Sequence, residues 1–154
     1  MNSPWPDEVR RPDLVLEALA DRHPFDEPHA VLALLTGPYE HQSLASSSVL
    51  WTQPPAEERA RARAADRAAA QLGLDRASLH ARQRQILLPV VVRPGPSWWS
   101  WDETEVSLAL RYCNQLSSVL QAGVIVVTPR GWYSDDDELW GIHPRAVWNS
   151  TGAA

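Results

Sequence analysis

The residues that could do chemistry in this chain are five histidines, one cysteine, an acidic run and a turn crowded with tryptophan. His23, His29, His41, His80 and His143 could assemble a metal site, but none stands at the close His-to-His spacing of familiar zinc motifs, so surface and capping roles are the expectation. Asp135-Asp136-Asp137-Glu138 has neither the glycine nor the alternating ligands of a calcium-binding loop and reads as a solvated acidic turn. Cys113 falls on the apolar face of a helical pattern, where an inert buried thiol is expected. Ser43, Ser46, Ser47 and Ser48 form no Gly-x-Ser-x-Gly elbow, and no glycine cluster could cradle a phosphate. No catalytic residue, metal or cofactor is therefore expected from motifs.

What remains is the segment RPGPSWWSWDE, residues 93–103. Trp98, Trp99 and Trp101 crowd a turn that can hardly bury all three rings in one core. Large amphipathic aromatics are enriched where proteins bind one another, and Arg93 could stack on one of these rings. The plainer alternative is a wedge that caps the core.

The elements around this turn are readable. Ile86 to Val92 is apolar on both alternations and predicts a strand covered on both faces, with Pro89 breaking it locally because proline cannot donate to a ladder. Trp101 to Gln121 carries Val106, Ala109, Leu110, Cys113, Leu116 and Leu120 at helical spacing, opened by a Ser100/Glu103 capping box and closed by Gly123. Val124 to Thr128 is a second buried strand, and after Pro129-Arg130-Gly131 the chain can return through Trp132 to Ser134 as a third. Upstream, Pro12 to Asp21 predicts a short helix with Leu14, Val15, Ala18 and Leu19 on its buried face. His29 to Thr36 and Ser48 to Thr52 predict a hairpin of uncertain register around a Ser-rich connector, although Ala30 to Leu35 would also fit a helix. Pro54 to Leu72 is the clearest helix, with Glu57 and Glu58 in its first turn, Gly73 after its end, and an alanine face small enough to lie close on a sheet. Leu74 to Gln85 is either further helical turns or a connector. The expected organisation is an arm and short helix over residues 1–28, an α/β core over 29–138, and a tail over 139–154 laid on or beside the core.

Composition narrows the function classes. With 154 residues the chain is one ordinary domain, and 44% apolar and 21% charged residues are ordinary for a globular fold. A formal charge of −5 argues against a nucleic-acid partner, because phosphate binding needs clustered basic side chains. All 14 basic residues are Arg, which with the Ala-rich helices points to GC-rich bacterial coding. No apolar run approaches the ~20 residues that span a bilayer, and the N-terminus has no signal-peptide pattern. A single cysteine excludes an intramolecular disulfide and favours the cytoplasm.

The order hairpin, helix, strand, loop, helix, strand with a glycine turn, from residue 30 to residue 134, resembles the JAB/MPN domain in its bacterial RadC-like form. In that family the third strand ends in His-x-His-Pro and a Ser-x-x-Asp pattern opens the next helix. Here Val91-Val92-Arg93-Pro94 stands in the first place, Ser100-Trp101-Asp102-Glu103 in the second with Glu for Asp, and Val124 to Ser134 matches the closing strand and turn. The resemblance implies a single-domain α/β fold, a mixed central sheet flanked by helices. It implies as well that Val91, Arg93, Ser100 and Glu103 mark a vestigial metal site. The family holds zinc with two His and one Asp and uses a Glu as general base. Val91 cannot bind zinc, Arg93 would repel it, and Glu103 alone cannot hold it.

The expectation is thus a JAB/MPN-like pseudoenzyme that binds another protein or a second copy of itself, as a homodimer, through Arg93, Trp98, Trp99 and Trp101, with no nucleic-acid or membrane partner. Two alternatives stand beside it. One is a metal-dependent hydrolase using Glu40, His41, Glu103 and the 135–138 acidic run. The other is a small-ligand binding module with an aromatic-lined pocket.

Overall fold

A computed structural model of the chain describes residues 9–74, 85–95, 101–111, 113, 119–134 and 139–148. Helix α1 (Pro12–Arg22) is followed by strand β1 (His29–Thr36), a single 3₁₀ turn (Tyr39–His41), strand β2 (Ser43–Trp51), helix α2 (Glu58–Ala70), strand β3 (Ile86–Val92), helix α3 (Trp101–Arg111) and the short strands β4 (Leu120–Gln121), β5 (Ile125–Thr128), β6 (Gly131–Ser134) and β7 (Leu139–Gly141). The strands form one open mixed sheet in the order β2-β1-β3-β5-β6-β7, and β4 also pairs with β3. Only β4 and β5 run parallel to β3, which they must because α3 carries the chain back between them. The fold is a single α/β domain with helices on both sheet faces.

The period-two geometry of a strand explains why β1 and β3 are apolar at every position. Val31, Ala33 and Leu35 of β1 and Ile86, Leu88, Val90 and Val92 of β3 face Val15, Leu16 and Leu19 of α1. Their alternates Ala30, Leu32, Leu34, Leu87 and Val91 face the alanines 64, 65, 68 and 69 of α2 and Val106, Ala109 and Leu110 of α3. The alanine stripe predicted to lie close on the sheet does so. On α1, Leu16 takes the buried position and Leu14 is 50% exposed, contrary to the expected face.

Two expectations need correction. Pro89 does not break β3, which is continuous and central. The N–H of Arg93 donates to Val127 O and the carbonyl of Leu87 accepts from Ala122 N, so odd positions of β3 point their backbone polar groups toward β4 and β5. The ring nitrogen of Pro89 therefore faces the gap between those two strands, where pairing lapses from Leu87 to Val90 and no ladder bond is lost. Helix α3 ends at Arg111, and Leu120–Gln121 pair with Ile86–Leu87 as a strand, so the helical spacing carried by Leu120 was coincidental. The pairing left open for the Ser-rich connector is settled from Ser43 onward, where β2 begins, and its register with β1 runs to Trp51 with two irregularities. Residues 139–141, which carry no periodicity, pair with β6, and the backbone N–H groups of Ala146 and Val147 donate to Thr128 O and Phe25 O.

Candidate functional site at the end of the central strand

Arg93 is the first residue past β3, yet its N–H still donates to Val127 O at 3.0 Å, so its backbone stays locked to β5. Being odd-numbered like Val91, it projects to the side of the sheet covered by α2 and α3. There it meets Glu103, in the first turn of α3, where the helix dipole favours a carboxylate. Nε of Arg93 donates to Oε1 of Glu103 at 2.7 Å and Nη2 donates to Oε2 at 3.2 Å, a two-pronged pair that fits the planar fork of guanidinium. The two side chains are 7% and 0% exposed. The third nitrogen, Nη1, donates to the carbonyl of Pro94 at 3.0 Å.

The partners are ten residues apart in sequence. Their pairing joins the end of β3 to the start of α3, and so fixes both ends of the tryptophan-bearing turn. Gly95 is shaped to this arrangement, with φ +95°, a left-handed conformation that disfavours side chains, and a Cβ there would stand 3.4 Å from Arg93 Nη1.

Chemically, the pair is a closed unit. Glu103 is fully covered, and both of its carboxylate oxygens already accept from Arg93. Beside it opens a cleft of about 70 Å³, lined by Pro28, His29, Trp51, Val91, Arg93 and Glu105. That volume admits a few waters at most. His29 is buried. Its Nδ1 donates to Glu27 O at 2.8 Å, and its Nε2 has no hydrogen-bond partner among the described residues.

Of the residues singled out in sequence, Arg93 and Glu103 converge, and Val91 lies beside them as a buried member of the α2/α3 core. Trp98, Trp99 and Ser100 lie outside the described residues, as does the side chain of Trp101, whose backbone opens α3. Glu40 and His41 occupy the 3₁₀ turn past the far end of β1, about 23 Å from the Arg93 end at a strand's rise per residue. They are not gathered with Glu103, and the 135–138 run is outside the described residues. Among the described residues no three His, Cys, Asp or Glu side chains form a metal-binding group.

Cys113 is buried, as expected, and its Sγ donates to Asp66 Oδ1 at 3.1 Å, a neighbour of the wrong charge to support a thiolate nucleophile. No described helix is long and apolar enough to cross a membrane. What the sequence did not reveal is that Arg93 and Glu103 are partners, since a ten-residue separation across a turn has no periodic signature. Compared with family models, curated proteins and solved structures, the chain matches none.

Proposed function

We propose that this protein is a non-catalytic, cytoplasmic α/β recognition module, JAB/MPN-like in plan and without that family's zinc chemistry, which binds another protein or a second copy of itself through the turn between β3 and α3. The observation that carries this reading is the buried Arg93–Glu103 pair. It occupies the place where the resemblance would put a metal, and it contributes a cation that repels metal ions and a carboxylate already engaged by that cation. The observed order of hairpin, helix, strand, turn, helix and strand supports the same plan.

The pair also suits recognition. A turn held at both ends loses less conformational freedom on binding than a loose one, and that saving appears directly as affinity. Arg93 thus acts as the anchor of the turn, while Trp98, Trp99 and Trp101 supply contact area.

Sedimentation velocity and pull-down with the intact chain test the proposal. Replacing Trp98 and Trp99 together by alanine is expected to abolish self-association or partner capture while leaving the thermal unfolding transition in place. A peptidase activity dependent on bound zinc and lost in Glu103→Ala would overturn it.

A further inference from the structure

At the opposite end of β1 from the Arg93 site, a second cavity of about 330 Å³ opens between α1 and the connector that leads into β2. Its size is at the lower end of small-ligand sites. Its walls are tied together. The Arg10 N–H donates to Gln42 Oε1 at 2.9 Å, and the Arg10 guanidinium lies over the Tyr39 ring, 5.4 Å from its centroid. Gly37, at φ +107°, bends the connector so tightly that a Cβ there would stand 2.7 Å from the carbonyl oxygen of His41. Its apolar floor is made of Leu14, which is 50% exposed, Val15 and Leu44.

Two charges on this cavity lie outside its one ion pair. Arg11 is matched by Asp13, through contacts of 3.1 and 3.0 Å. Arg10 and Glu40 both line the cavity, and neither has an ion-pair partner among the described residues, including each other. An unpaired cation and an unpaired carboxylate above an apolar floor are complementary to a small zwitterion with an apolar substituent.

We infer that this cavity binds a free α-amino acid with an apolar side chain, its carboxylate toward Arg10, its ammonium toward Glu40, and its side chain on Leu14, Val15 and Leu44. The stacking of Arg10 on Tyr39 holds the guanidinium for that contact. The site is independent of the recognition turn.

The probe is L-phenylalanine, titrated into the intact protein and followed by amide chemical shifts and calorimetry. Saturable shifts are expected at Leu14, Gln42 and Ser43. Arg10→Ala and Glu40→Gln should each weaken binding by about tenfold or more, and so should removing one ligand charge, as in N-acetyl-L-phenylalanine and L-phenylalaninamide. Both positions are exposed, and an unchanged melting temperature establishes that each variant is folded. Absence of saturable binding overturns the inference, as does retention of affinity in either variant or with either analogue.

Discussion

The Arg93–Glu103 pair makes a sharp energetic prediction. Glu103 is fully buried and the Arg93 side chain is 7% exposed, so Glu103→Ala leaves a buried guanidinium without its carboxylate. Breaking a buried pair from one side costs about 3–5 kcal/mol. For a domain of this size each kcal/mol lowers the melting temperature by about 2–4 °C, so the single variant should melt roughly 6–20 °C lower. Arg93→Met should cost a similar amount by stranding the carboxylate.

Replacing both, as Arg93→Met with Glu103→Leu, removes the two desolvation terms together and should recover most of the loss, because a packed apolar substitute is often as stable as a buried pair. Urea titration with a shared m-value gives the four corners of the cycle, and a coupling of at least ~2 kcal/mol is expected. Single losses below about 1 kcal/mol, or losses that simply add, would refute the claim that these groups are a desolvated unit.

Other predictions test the frame around that pair. Gly95→Ala should destabilise by about 1–2 kcal/mol, since alanine is strained at a left-handed φ; urea midpoints measure this. Pro89→Ala should change stability by less than about 1 kcal/mol, because its nitrogen faces the lapse between β4 and β5, whereas Leu88→Ala in the same strand should cost about 2–5 kcal/mol. Ala68→Leu should cost about 1–3 kcal/mol by forcing α2 off the sheet. Burial, and then its neighbours His29 and Arg22, hold the His23 imidazole below its usual pKa. The unfolded chain then binds the proton more readily, so this contribution is intact above the unfolded value of about 6.5 and is lost as pH falls from there toward the folded value. Unfolding curves across that range should show the dependence in the native protein and a flatter profile in His23→Gln.

Sequence reasoning succeeded where one local property decided the structure. The unbroken apolar runs of β1, β3 and β5 read as strands covered on both faces, and the alanine stripe of α2 as a close helix–sheet contact, and the structure has both. It failed where a distant partner decided. Leu120 fits a helical spacing but is captured by Ile86 as a strand. Pro89 is excluded from most central strands and tolerated here because the neighbouring strands part beside it. Leu14 and Leu16 are both compatible with a buried face, and the structure buries Leu16 while Leu14 lines the open cavity. Arg93 and Glu103 were each visible, one as a stacking cation and one as a helix cap; their union depends on the end of β3 and the start of α3 meeting on the same side of the sheet.

The central claim is that the end of β3 is closed by an ion pair and not built around a metal ion. It is tested most directly by elemental analysis of protein purified without chelator, incubated with zinc and passed through desalting. The account predicts that no stoichiometric zinc is retained. One zinc per chain, lost in Glu103→Ala, would contradict it.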